Sequence, residues 1–179
     1  MRSPWKKISS TEKYKNAWIR VREDKVIRPD GKKGIYGVVE LGSSAGVVAV
    51  TARNEVYLIK EHRYPLQAFT IEIPRGAGPK KEPALHVAKR ELMEEAGVTA
   101  KNWKSLGFIN TSPGIIAEKA QIFLARNIKK TDPKPEGDEY QQVIKLPFSK
   151  ALSWITSNRI NDGITIAALI RAKEYLKIK

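Results

Sequence analysis

Three glutamates, Glu91, Glu94 and Glu95, stand at i, i+3 and i+4 in the run Arg90-Glu91-Leu92-Met93-Glu94-Glu95-Ala96-Gly97-Val98. At about 100° per residue they share one face of a helix, while Leu85, Ala88, Leu92 and Ala96 fall on another, so one stripe packs and the other is left free. Like charges this close lower helix stability by roughly a few tenths of a kcal/mol per pair, and a bound cation reverses that sign. Hard divalent ions prefer oxygen, and Mg²⁺ is usually held by one or two carboxylates, retained waters and the phosphates of a substrate. The spacing therefore points to a shared site for a metal and a diphosphate. The competing reading is an acidic face that simply meets water.

The elements that must position these carboxylates are legible on either side. Pro83 suits a first helical position, where its missing N–H would be unpaired anyway, and Gly97 suits a left-handed C-terminal cap. Ahead of them Thr70-Ile71-Glu72-Ile73 is β-branched and alternating, and reads as a strand running into a Pro74-Arg75-Gly76-Ala77-Gly78-Pro79 loop. The expected order is strand, glycine loop, helix.

Gly76, Glu82, Arg90, the aliphatic Leu92, Gly97 and the aliphatic Val98 stand in register with the three glutamates, and the segment resembles the Nudix hydrolase signature at every defining position. Within that superfamily Glu61-His62-Arg63-Tyr64-Pro65, Ile71-Glu72-Ile73-Pro74-Arg75-Gly76, and Pro113, fifteen residues after Val98, look like the ADP-ribose and nucleoside diphosphate sugar pyrophosphatases. The resemblance covers most of the chain. It implies an α/β fold, a Nudix-like α/β/α sandwich with a mixed β-sheet and an N-terminal antiparallel β extension. It further implies Mg²⁺-dependent hydrolysis, with Mn²⁺ as a substitute, of ADP-ribose or a related nucleoside diphosphate sugar to a nucleoside monophosphate and a sugar phosphate. One position departs from the pattern: Arg75 replaces the usual small residue, and either brings a cation to the phosphates or points to solvent.

Carried over by matching position, the resemblance makes Glu91 and Glu95 the principal metal ligands, Glu94 a direct or water-mediated one, and the backbone carbonyl of Arg75 a further one. Arg90 would orient the glutamates, a role compatible with simple i,i+4 pairing to Glu94. Glu82 is either an accessory carboxylate or a residue that starts the helix. The general base would be Glu139, with Glu136 and Asp138 as rivals in the same segment. Arg63 is placed like a family arginine that approaches the phosphate or terminal sugar, against the alternative of a surface ion pair. Trp18 either stacks on a nucleobase or fills a core or dimer interface. A homodimer through the N-terminal strands is expected, because the subfamily builds its base pocket between two subunits.

Two other functions stay open. Removal of 5′ diphosphate from RNA is harder to dismiss on a basic chain, although Pro113 weighs against it. A non-catalytic nucleic-acid binder with this fold is opposed by the intact glutamates. The formal charge of +14, from 33 basic and 19 acidic residues, suggests attraction to polyanions or to highly charged phosphate substrates.

At 179 residues the chain is long enough for a full core, with residues 1–42 as the β extension and 43–179 as the main domain. No cysteine is present, which excludes disulfides and thiolate chemistry. His62 and His86 read as structural or exposed. No apolar run approaches a bilayer span, and Met1 to Lys7 lead into no signal-peptide core, so no membrane is expected and a cytoplasmic location is. Residues 13–22, 23–26 and 36–41 read as strands around a Pro29-Asp30-Gly31 turn. Residues 46–52 and 56–60 read as a hairpin, and 103–109, 120–125 and 143–146 as further strands. Helices are expected over 150–157 and 164–177, the last with Ile166, Leu169, Ile170 and Leu176 on its apolar side. Lys129 to Tyr140 reads as a polar, proline-rich irregular stretch.

Overall fold

Two adjacent strands, β4 (Ser43–Val50) and β5 (Glu55–Arg63), are apolar on both faces because both faces are covered. Val48, Val50, Val56 and Leu58 join one hydrophobic cluster, and Val47, Ala49, Tyr57 and Ile59 join a second. In this computed structural model residues 3–79, 81–131 and 141–178 are described, without the side chain of residue 43. The chain divides into two units, Met1–Gly42 with Asn110–Glu118, and Ser43–Ile109 with Lys119–Lys179.

The larger unit is a mixed sheet between helices, the α/β/α sandwich expected from the sequence. Its strand order is β11 (Gln141–Pro147), β5, β4, β10 (Ala120–Lys130), β8 (Val98–Ile109), with β6 (Ala68–Glu72) on β5 and β7 (Arg75–Gly78) on β4. The β4–β10 pair is parallel and its neighbours are antiparallel. Helix α1 (Ala84–Ala96) supplies Val87, Ala88, Leu92 and Ala96 to one core. On the opposite face α2 (Phe148–Thr156) and α3 (Gly163–Leu176) supply Phe148, Ala151, Ala168, Leu169 and Ala172 to the other.

The smaller unit is a sheet of β1 (Lys6–Lys15), β2 (Ile19–Ile27), β3 (Lys33–Leu41) and the short β9 (Ile116–Ala117), with β1–β2 and β2–β3 antiparallel. Gly31 turns the β2–β3 hairpin at φ +81°, a conformation open to glycine at no steric cost.

Five local expectations are corrected. The single strand expected over 13–22 is two strands, interrupted where the Asn16 side chain accepts from the Trp18 and Ile19 amides, each at 2.8 Å, a local bond that competes with the ladder. The glycine loop contains β7, which pairs along β4 from Gly46–Arg75 to Ser43–Gly78. Helix α1 starts at Ala84, with Pro83 as the flanking cap. Lys129 and Lys130 are not irregular but continue β10 against β8; residues 132–140 lie outside the described residues. Ile170 is 44% exposed rather than on the buried side of α3. No helix among the described residues is long and apolar enough to cross a membrane.

Candidate active site

Helix α1 ends where Gly97 takes the left-handed conformation at φ 60° and donates its N–H to Met93 O at 3.1 Å. That stop fixes the last turns, which carry the acids. The acidic stripe is not left free, as its spacing suggested: Glu91 and Glu95 are each only 7% exposed and lie among Val87, Ala88, Leu92 and Ala96 on the buried side of the helix. Two buried carboxylates need strong partners, and β7, β11 and α1 itself provide them. The Arg75 amide donates to Glu95 Oε2 at 2.9 Å, and Gln141 Nε2 to Glu95 Oε1 at 3.3 Å. Arg90 Nη1 lies 2.9 Å from both Glu91 Oε1 and Glu94 Oε2, while its Nη2 donates to Ala77 O at 3.0 Å. Arg90 thus ties α1 to β7 and screens two glutamates at once. Burial opposes its charge, but Glu91, Glu94 and Glu82 outweigh that and raise its pKa.

The glycines of β7 are there for the carboxylates. A Cβ on Gly76 would sit 2.2 Å from Glu91 Oε1, and one on Gly78 would sit 2.3 Å from Glu82 Oε2 and 2.7 Å from Val87. The backbone therefore approaches α1 closely enough for main-chain groups and carboxylates to share one space. Glu82 faces this strand, beside the other acids.

Beyond β7 lies a second layer that sequence reasoning missed. Glu72, only 2% exposed, receives a two-pronged pair from Arg63, Nε to Oε1 at 2.9 Å and Nη2 to Oε2 at 2.6 Å. Thr70 Oγ1 donates to it at 2.6 Å, and Arg75 Nε at 2.8 Å. Burial alone would push the Glu72 carboxyl up, but the Arg63 hydrogen bond, the charges of Arg75 and Arg63, and the Thr70 hydroxyl hold it down at about 2. Arg63 also donates to Glu61 Oε1 at 2.8 Å. Burial disfavours its charge, yet Glu72, Glu61 and Glu95 raise its pKa overall. Of the two sequence readings of Arg63, the ion pair is present, in a half-buried network rather than at the surface. Arg75 likewise does not simply point to solvent: its guanidinium joins Glu72 and comes within 3.6 Å of Asp162 Oδ1. The available signal was a glutamate and a threonine two apart in an otherwise apolar strand.

Arg63, Thr70, Glu72, Arg75, Asn161 and Asp162 line a cleft of about 330 Å³ together with Pro65 and Leu66. Asp162 caps α3 by accepting from Thr165 N at 2.8 Å, and the buried Thr165 Oγ1 accepts from Ile73 N at 3.0 Å. The strand end that carries Arg75 is thereby fastened to a helix start.

The donor set suits a hard divalent cation. Glu91, Glu94 and Glu95 offer oxygen beside a backbone that glycine has cleared, and no sulfur or imidazole intrudes. Among the described residues no group of three acids or histidines is placed to hold a metal ion by itself, but Mg²⁺ takes waters and substrate phosphates to complete its coordination. Of the other residues singled out by sequence, Trp18 belongs to the smaller unit and is 77% exposed. Glu136, Asp138 and Glu139 lie outside the described residues. His62 and His86 are exposed, with His62 edge-on to Phe69 at 5.3 Å.

Comparison with known proteins adds an independent line. Residues 40–167 match the NUDIX domain, and residues 5–39 match the nucleoside diphosphate sugar hydrolase N-terminal domain. An ADP-ribose pyrophosphatase of Bacillus subtilis (strain 168) is 31% identical over 176 residues, covering 97% of this chain and 93% of the relative. A GDP-mannose pyrophosphatase of Yersinia pestis (strain Pestoides F) is 37% identical over 145 residues, covering 75% and 73%. The crystal structure of an ADP compounds hydrolase superposes with a TM-score of 0.83 at 18% identity, over 97% of this chain and 94% of the other, a likeness of fold.

Proposed function

Since the chain belongs to the NUDIX family, we propose that it is a pyrophosphohydrolase that cleaves the diphosphate of ADP-ribose or a related nucleoside diphosphate sugar to a nucleoside monophosphate and a sugar phosphate. The observation that carries this reading is the pair of buried carboxylates, Glu91 and Glu95, set against the glycine-cleared strand β7.

Glu91 and Glu95, with Glu94 and the Arg75 carbonyl, would hold Mg²⁺, or Mn²⁺ in its place. The bound ion supplies neutralisation of the diphosphate charge and an acidified water. The chain's own residues do the rest. Arg90 keeps Glu91 and Glu94 in one orientation through its bonds to both and to Ala77 O. The Arg75 amide fixes one oxygen of Glu95, leaving less freedom for the ligand to reorient. Arg63 and Arg75, each about 30% exposed at the side chain and both held on Glu72, present cations to a cleft next to these carboxylates. We assign the phosphates or terminal sugar to that cleft. Glu139 is proposed as the general base that takes a proton from the attacking water, with Glu136 and Asp138 as rivals. A homodimer built on the N-terminal strands, with Trp18 stacking on the base, and a cytoplasmic setting complete the proposal.

The test compares turnover of ADP-ribose, GDP-mannose and a 5′-triphosphate RNA with Mg²⁺ and with chelator. The expected result is Mg²⁺-dependent release of nucleoside monophosphate from a sugar nucleotide; cleavage of the RNA alone would refute the reading. Glu95→Gln should lower kcat by at least about 10²-fold, a loss expected when a group acting at the transition state is removed. Its thermal midpoint should stay near that of the parent, and an unchanged rate would remove Glu95 from the ligand set.

A further inference from the structure

The charge of +14 is not spread evenly. Residues 98–109, 119–131 and 163–178, which span β8, β10 and α3, hold nine lysines and arginines against one acid, Glu174. That stretch alone carries +8 of the formal charge, and the sugar-nucleotide site uses none of it.

Part of this charge is built into a defined surface. Strand β8 is an edge of its sheet. Near its end β8 carries one more residue than β10 across the irregularity between Gln121 and Phe123, and Gly107 there adopts φ +85°. Such a bulge re-aims the side chains around it. It turns the carbonyls of both Leu106 and Phe108 toward Arg171 of α3, whose Nη1 donates to them at 3.0 Å and 2.9 Å. The arginine fastens strand to helix and leaves two rings in solvent, Phe108 at 43% and Tyr175 at 53% exposed. Each ring carries a lysine: Lys119 Nζ lies 5.0 Å from the Phe108 centroid, and Lys104 Nζ lies 5.7 Å from that of Tyr175.

Exposed rings with cations beside them, on segments whose one acid is Glu174, are what a single-stranded nucleic acid needs: a face for a base and a charge for its phosphate. An anionic membrane would draw on the lysines, whereas a base also stacks on the ring faces. We propose that the β8–α3 face, through Lys104, Phe108, Lys119, Arg171 and Tyr175, binds single-stranded RNA or DNA without cleaving it. The face is remote from the hydrolytic cleft: from Gly163, which lines that cleft, to Tyr175 the axis of α3 runs about 18 Å. This inference stands apart from the proposed hydrolase activity.

The test is fluorescence anisotropy of a labelled oligo(U) of about 12 nucleotides with the full chain, titrated between about 50 mM and about 200 mM salt. Binding that weakens steeply with salt is expected. Lys104→Ala with Lys119→Ala should flatten the slope of log K against log salt by about 1.4, two single-strand phosphate contacts. Phe108→Ala with Tyr175→Ala should weaken binding by about tenfold or more at fixed salt while leaving that slope unchanged. Both variants should hydrolyse ADP-ribose, or whichever sugar nucleotide the parent turns over, at the parental rate, which also reports that they are folded. No binding at the lowest salt, or parental binding by both variants, overturns the proposal. So does tighter capture by phosphatidylserine vesicles that the same substitutions abolish, which would reassign the face to a membrane.

Discussion

Glu72 shows how a single carboxylate organises its surroundings. Arg63, Arg75 and Thr70 all donate to it, and together they hold its pKa at about 2 against a usual 4.5. A carboxylate whose folded pKa lies below its unfolded one adds stability above the unfolded value, and that stability is lost as pH falls through the folded one. The interval between the two values corresponds to on the order of 3 kcal/mol. Thermal midpoints measured across acid pH should therefore fall between about pH 4.5 and pH 2 in the parent. In Glu72→Gln the fall should be shallower and the midpoint at neutral pH lower, because Arg63 and Arg75 lose their shared anion. Parallel profiles would mean that Glu72 is not the controlling group. This residue also marks the limit of what sequence could reveal. Glu91, Glu94 and Glu95 were legible because three residues on one helix are related by a fixed rotation. Glu72 was not, because its meaning depends on Arg63 in the facing strand, through a pairing that local spacing does not encode.

Among the elements, α1 was read nearly whole. Its C-terminal glycine and its apolar positions are local signals, and only the start shifted by one residue. Strand β7 escaped notice because Arg75-Gly76-Ala77-Gly78 has the composition of a turn; its strand character comes from β4 alongside and from the demand that no side chain intrude on Glu91 or Glu82. The start of α3 was read to within one residue, but what fastens it was hidden. Thr165 meets Ile73 across 92 residues of sequence, and nothing near either position announces it. The contact makes a prediction at this scale. Thr165→Val keeps the shape but leaves the Ile73 N–H buried without an acceptor, a loss of about 1–3 kcal/mol. The thermal midpoint should drop by roughly 3–10 °C for a chain of this length, and kcat/KM should drop with it, since Ile73 leads directly into Arg75. An unaltered midpoint would show that the α3 cap does not anchor the strand.

At the scale of the whole molecule the sequence disclosed a total charge but not its address, and an N-terminal sheet but not its condition. Every residue of β1 is exposed, and Ile8, Tyr14, Trp18 and Ile35 of the smaller unit are 56%, 54%, 77% and 67% exposed. Exposed apolar side chains on a small sheet are what the proposed homodimer would cover. Light scattering on the eluting protein should give twice the 20.1 kDa chain mass. Ile8→Asp with Ile35→Asp should halve that mass, because a buried unpaired carboxylate on each copy opposes association. If the base pocket draws on both copies, the separated chains should show KM raised by about tenfold, the scale of one lost stacking contact, while kcat, assigned in the proposed mechanism to the α1 and β7 groups of each larger unit, stays closer to the parental value. A parent eluting at the mass of one chain at micromolar concentration would dismiss the dimer. A dissociated variant with unchanged KM would keep the dimer and remove the second copy from substrate binding.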